Sequence, residues 1–205
     1  MDFQTIISFL IASSLLTMMP GPDIIYVLLQ SISNGKKYGI TTALGLVSGI
    51  IVHTTLIALG ISEMLKQSKN IYLAIKIFGA FYLFYLAYKV YKAPASIKFP
   101  ENKFVKENFI TLFKRGFFMN VLNPKVGLFF LAFFPGFINL HNENTILQIY
   151  SLGFLFIVQA LIIFSLVSVL ADKMTSFLRK NKKFNYYLKY AQIIIFIGIG
   201  IFILL

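Results

Sequence analysis

Cysteine is absent from this 205-residue chain, and histidine occurs only as His53 and His141. The first absence excludes disulfides, thiol redox chemistry and thiolate metal sites. Two imidazoles are too few for a multi-histidine metal site, so neither metal nor cofactor is expected. Charge is scarce too: 13% of residues are charged against 58% hydrophobic. Such a chain is too apolar for a soluble domain of this size and implies an integral membrane protein. The ten-residue alternating segments of a transmembrane β-barrel are missing. The opening "MDFQTIISFL" carries an acid and no base before the first apolar run. The first segment is therefore expected to be a retained span and not a signal peptide. No cysteine nucleophile, metal cluster or serine–histidine–carboxylate set can be placed together, which argues against an enzyme.

Long apolar runs are what the chain does have. A membrane-spanning helix needs about 20 mostly apolar residues. Six stretches qualify, roughly 3–30, 39–62, 70–91, 109–138, 146–171 and 186–205. They use most of the chain and predict an all-α integral membrane protein, a single transmembrane domain over residues 1–205. The net charge of +12 is placed unevenly. Fifteen lysines and arginines fall in loops 1–2, 3–4 and 5–6 with their helix ends, against Lys66, Lys69 and Lys76 on the other side. The positive-inside rule puts the basic loops in the cytoplasm and both termini outside it, across the cell inner (plasma) membrane. The basic excess then serves topology and attraction to membrane lipid, and nucleic acid is not an expected partner.

The longest polar connection, "KAPASIKFPENKFVKEN", divides the chain. Repeat one runs 1–92, a cytoplasmic linker 93–108, and repeat two 109–205. Each half holds three spans, so the halves must sit in opposite orientation, the condition for two inverted three-helix repeats. Each half also opens with an over-long span that is broken near its middle. Span 1 breaks at Pro20, Gly21, Pro22 and Asp23, and span 4 at "LNPKVG", Leu122 to Gly127. Both breaks set a charge directly after a proline: Asp23 after Pro22, Lys125 after Pro124.

Proline removes a backbone donor, clashes with the carbonyl four residues back and pushes its predecessor out of helical geometry. The helices must stop and restart, with Pro22 and Pro124 in the first turns of the new helices. Each restart presents unpaired N–H groups and the positive end of a helix dipole at mid-membrane, where an anion can bind. A centred Asp or Lys costs about 2.5–3.5 kcal/mol on insertion scales. Both charges should therefore face the bundle interior, near one another. An acid and a base beside two helix N-termini match a zwitterion. Its carboxylate would take Lys125 and the N–H groups, and its ammonium would take Asp23. A small amino acid fits that description. The bland alternative is a buried Asp–Lys pair that fixes packing, between prolines that only shape the helices.

At these residues the sequence resembles the LysE/RhtB family of amino-acid exporters. Three stretches carry the resemblance: "PGPDIIYVLLQSISNGKKYGITTALGLVSG" at 20–49, "GAFYLFYLAYKVYK" at 79–92 and "GFFMNVLNPKVGLFFLAFFPGFI" at 116–138. The spaced combination of "PGPD" and "NPK" is what makes it specific. The resemblance implies a six-helix exporter of small amino acids or their derivatives, driven by an ion gradient, with the proton as the expected coupling ion. It also implies that Pro20, Gly21, Pro22, Asp23, Asn123, Pro124 and Lys125 belong to the functional motifs. One departure is Gly136, where the family usually has the glutamine of "PQF".

Other residues admit two readings each. His53 could shuttle protons or hydrogen-bond a neighbouring helix. Gln159 could touch substrate or bridge helices. Asn120 and Asn123 flank the second break and could complete the site or cap the restarted helix. Gly45 and Gly49 have the spacing of close helix packing, or could clear space beside the site. Tyr82, Tyr85, Tyr88 and Tyr91 read as an interfacial belt on span 3, with cation stacking as the alternative. Glu63 is expected in solvent. The leading functional expectation is a secondary transporter exporting small amino acids; the alternative is a membrane scaffold or assembly subunit without transport. Homo-oligomerisation is compatible with the sequence but is not specified by it.

Overall fold

The structure is a computed structural model, and it describes residues 1–61, 69–95, 106–139 and 144–204. Glu63, Lys66 and most of the 93–108 linker lie outside the described residues. Among those described every regular element is helical.

The breaks divide the first and fourth apolar runs as proline chemistry requires. Helix α1, Phe3–Met18, starts on Asp2, whose carboxylate accepts from the Thr5 N–H at 3.0 Å. It ends before Pro20. Helix α2, Pro22–Asn34, opens on Pro22 and stops at Gly35, whose φ of 98° favours glycine. Helix α3, Lys36–Leu56, follows at once and runs into a π-helical turn at Ile57–Ile61. Helix α4 covers Lys69–Lys92. Helix α5, Phe109–Val121, is capped by Asn108, which accepts from the Thr111 N–H at 2.7 Å. The second break follows. Helix α6, Pro124–Leu128, continues through a π-helical stretch, Phe129–Phe133, and a 3-10 turn, Phe134–Phe137. Helices α7, Thr145–Val169, α8, Ala171–Lys180, and α9, Lys182–Leu204, complete the chain.

Four helices are long and apolar enough to cross a membrane alone, and six spans result if each bent pair counts as one. The α1–α2 pair bends by 60° and the pair that begins with α5 by 46°. Helix α8 departs from the sequence reading, which assigns 172–185 to a basic loop. Ala171, Thr175 and Leu178 are buried, with Met174 beside them, and they fall about one turn apart. That stripe packs α8 against α2 and α9. Its many charges mask the pattern in a hydropathy reading.

Helix α3 is the hub, packed on α2, α5 and α7. Small residues allow this. A Cβ on Gly45 would strike the backbone of Phe113, and one on Gly116 would strike the Thr42 carbonyl. Close packing is thus the job of the Gly45–Gly49 spacing. Helices α4 and α9 form a second pair at the side of this core.

The two ends of the bundle differ. One gathers Gly35, Tyr38, Phe109, the end of α4 and the start of α9: Tyr38 meets Phe109 at 5.0 Å between ring centroids, and Lys189 Nζ donates to the carbonyls of Tyr91 and Ala93, each at 2.7 Å. Lys106 lies over the Tyr38 ring at this end, and Lys89 and Lys92 stand in the last turn of α4. The opposite end holds the N-terminus against Gly136, Phe137 and Gln148, and Phe133 against Phe202 near the C-terminus. Between that end and the breaks lies a block of aromatic side chains. Phe9 contacts Phe129, Phe134, Phe137 and Phe156, and Phe130 stacks on Phe156 at 5.5 Å.

Candidate functional site

The two breaks meet in the centre of the protein, and Asn123 joins them. Its Nδ2 donates to Asp23 Oδ2 at 2.7 Å, across 100 residues of sequence. Its Oδ1 accepts from the Lys125 N–H at 3.0 Å and so caps α6. Asn123 therefore does two tasks: it holds the carboxylate of the first break and starts the helix of the second. Asp23 is 5% exposed, and its other oxygen, Oδ1, is buried with no protein hydrogen bond. A buried carboxylate oxygen without a donor is costly, so this acceptor is the chemically distinctive atom of the site.

Lys125 is half-buried and does not reach the Asp23 carboxylate. Its Nζ donates to the Leu16 carbonyl in the last turn of α1, at 3.2 Å. A cation there answers the orphan carbonyls and the negative end of the α1 dipole. Asp23, in the first turn of α2, faces the positive end of that helix in the same way. The two charges, expected near one another, do not pair directly: they compensate the two helix ends at the first break, with Asn123 between them. A further carbonyl of that break, on Pro20, accepts from Gln192 Nε2 of α9 at 3.1 Å. Gly21 lies close to the lysine: an added Cβ would touch Lys125 Nζ at 3.4 Å, an ordinary contact.

The secondary candidates occupy matching positions. His53 on α3 lies with its Nε2 3.2 Å from the Asn120 carbonyl at the end of α5, and its ring stacks on Phe130 at 5.4 Å. Gln159 on α7 donates from Nε2 to Thr17 Oγ1 at 3.1 Å, near the end of α1. Its Oε1 accepts from Ser14 Oγ at 3.2 Å. Each middle helix thus sends one polar side chain to the last turn of a broken helix in the other half. The Asn120 side chain packs against Gly49, and its Oδ1 is buried without a partner. Pro22 and Pro124 are exposed at their helix starts, and Pro20 is half-buried.

Sequence reasoning passed over Gln192. An isolated amide in the apolar run of α9 was the available signal, because a buried polar group in a span needs a partner. It also passed over a ladder on α2, where Asn34 Nδ2 donates to Gln30 Oε1 and Gln30 Nε2 to the Tyr26 hydroxyl, each at 3.0 Å. Arg115 of α5 donates to the same hydroxyl at 2.6 Å and pairs with Glu107 at 2.9 Å. On α4 the tyrosines at 85 and 88 are exposed, each with a lysine one turn on above its ring. No group of three His, Asp or Glu among the described residues could hold a metal ion.

The site therefore offers a buried carboxylate acceptor, a cation and an amide bridge, set where two interrupted helices meet. Comparison with known proteins points the same way. The sequence model of the LysE type translocator family matches residues 14–205. The homoserine/homoserine lactone efflux protein of Salmonella typhimurium (strain LT2) is 27% identical over 183 residues, 89% of this chain and 88% of its own. The uncharacterized membrane protein YrhP of Bacillus subtilis (strain 168) is 28% identical over 97% of both chains. The leucine efflux protein of Salmonella choleraesuis is 27% identical over 67% of this chain and 65% of its own. No solved structure matches. With the family matched over nearly its whole length and its relatives named for amino-acid efflux, the chain belongs to the LysE-type translocator family of membrane transporters.

Proposed function

We propose that this protein is a secondary active transporter that exports small amino acids or their derivatives from the cytoplasm, coupled to the proton gradient. The observation that carries the reading is the Asp23–Asn123 bond, which ties two broken helices around a carboxylate with one unsatisfied oxygen. A substrate ammonium would donate to Asp23 Oδ1. A substrate carboxylate would draw Lys125 Nζ away from the Leu16 carbonyl. The names of the relatives, homoserine and leucine efflux, suit a substrate that carries both groups.

The transporter is a six-span bundle of two inverted repeats, 1–92 and 109–205. The support is pairwise. Each half begins with a bent helix, and His53 and Gln159 make equivalent reaches across the halves. Alternation would move one repeat against the other around the joined breaks. The aromatic block around Phe9 closes the site toward the end that holds the N-terminus. The basic end faces the cytoplasm of the cell inner membrane, by the positive-inside rule.

The test uses purified protein in proteoliposomes loaded with a panel of labelled amino acids and homoserine. At least one should leave faster than from protein-free vesicles, and an inward proton gradient should accelerate it. Efflux no faster than the blank across the panel would overturn the reading. Gradient-independent efflux would remove the proton and leave the exporter.

A further inference from the structure

Helix α9 carries a polar stripe inside an apolar helix. Asn185, Lys189 and Gln192 are spaced i, i+4 and i+7, which places them on one face. All three line a cavity of about 360 Å³ that runs from the end of α4 to Pro20, at the first break. Its apolar walls include Ile25, Val90 and Leu188.

The polar groups on this face are incompletely matched. Lys189 Nζ donates to two carbonyls, of Tyr91 and Ala93. A lysine ammonium has three donors, and both partners here are neutral. Among the described residues its positive charge faces neutral oxygens and the ring faces of Tyr91 and Tyr190. Asn185 is 9% exposed; its Nδ2 donates to the Leu178 carbonyl at 2.8 Å, while its Oδ1 is buried with no partner. A cation with no counter-anion among the described residues thus lies one helical turn, about 5–6 Å between Cβ atoms, from an acceptor with no donor among them. At the inner end of the cavity Gln192 already holds the Pro20 carbonyl, three residues before Asp23.

We propose that this cavity is a second substrate site, an entry site on the basic end of the protein. It takes a zwitterionic amino acid with a small aliphatic side chain before the molecule reaches Asp23. Lys189 takes the carboxylate, Asn185 Oδ1 takes the ammonium, and the apolar wall takes the side chain. Gln192 stands between the two sites: its release of the Pro20 carbonyl frees the first break to move. This rests on the exporter reading above but does not use Asp23 or Lys125.

The test is a comparison of the two faces of the membrane. The probe is the amino acid of the panel that wild-type protein moves fastest, measured in oriented proteoliposomes from each side in turn. Lys189→Gln should raise KM at least tenfold from the face that carries Lys189 and leave KM from the opposite face within twofold. Lys189→Arg, which keeps the charge, should restore most of the loss. Lys189 also braces the end of α4, and a purely structural role would raise KM or lower the rate from both faces together. That symmetric result, or no change at all, overturns the entry site. A second readout is independent of Asp23. In an Asp23→Asn background, Leu188→Cys should react with a maleimide, and the same amino acid should slow the reaction. Unslowed labelling contradicts the entry site, while wild-type protein that moves nothing in the panel removes the exporter reading beneath it.

Discussion

Asn123 donates to Asp23 across 2.7 Å, and this bond joins the two interrupted helices. The residues lie in different halves of the chain, yet each is placed by a proline next to it in sequence. The consequences of that bond reach both stability and transport.

Replacing Asn123 removes two interactions together. Asn123→Ala loses a hydrogen bond to a charged group, about 1.5–3 kcal/mol. It also loses the α6 cap, about 0.5–2 kcal/mol. The expected result is a clearly lowered thermal midpoint in detergent and loss of efflux. Asn123→Asp should be no better: it keeps the cap but sets a second carboxylate against Asp23. An unchanged midpoint in Asn123→Ala would show that the bond does not hold the breaks together.

Gly21→Ala separates transport from folding. The backbone there is extended, with φ −146° and ψ −179°, so alanine adopts it without strain. Its Cβ would meet only the end of a flexible lysine and the Met19 carbonyl, at 3.4 and 3.8 Å. The thermal midpoint should stay within a few degrees of wild type. Efflux should fall severalfold, because the added methyl stands against the Lys125 ammonium and narrows the space a substrate carboxylate would use.

Gly45→Ala should be severe, since its Cβ would strike the backbone of Phe113, which has no rotamer to change. Overpacking of this kind costs about 1–3 kcal/mol, occasionally more. Gly60→Ala is the control, with nothing within 4 Å of an added Cβ. Membrane yield and thermal midpoint of the pair should diverge; similar behaviour would contradict the close α3–α5 contact.

Orientation can be read with single cysteines, because the chain has none of its own. Cysteines at Lys37 and Lys180, both exposed, should react with an impermeant maleimide only after lysis of cells. Those at exposed Asn70 and Asn144 should react in intact cells. The reverse pattern would invert the assigned sidedness.

Much of this was legible because proline and charge in an apolar run admit few explanations. "PGPD" and "NPK" mark the two breaks, and they are where the structure bends the first and fourth runs. The partner of each charge was not legible. Opposite charges on matching breaks suggest neighbours, but not that Lys125 answers the carbonyl end of α1, because a helix that stops inside the bundle has its own electrostatic demand. Helix α8 hid in a basic segment, since its apolar stripe occupies one position in three or four. Gln192 hid in the opposite way, as a single amide diluted by a long apolar helix. His53 and Gln159 were visible as intramembrane polar residues. Their equivalent reaches to α5 and α1 depend on the crossing of helices far apart in sequence, which no local pattern encodes.

The most direct test of the central claim is efflux by Asp23→Asn in proteoliposomes, at matched protein incorporation. Asparagine keeps the shape and can still bond to the Asn123 amide through its oxygen. It lacks the charge that a substrate ammonium or a coupling proton would meet. The account predicts normal incorporation, loss of most efflux, and no remaining response to the pH gradient. Full, gradient-driven efflux from well-incorporated Asp23→Asn would contradict it.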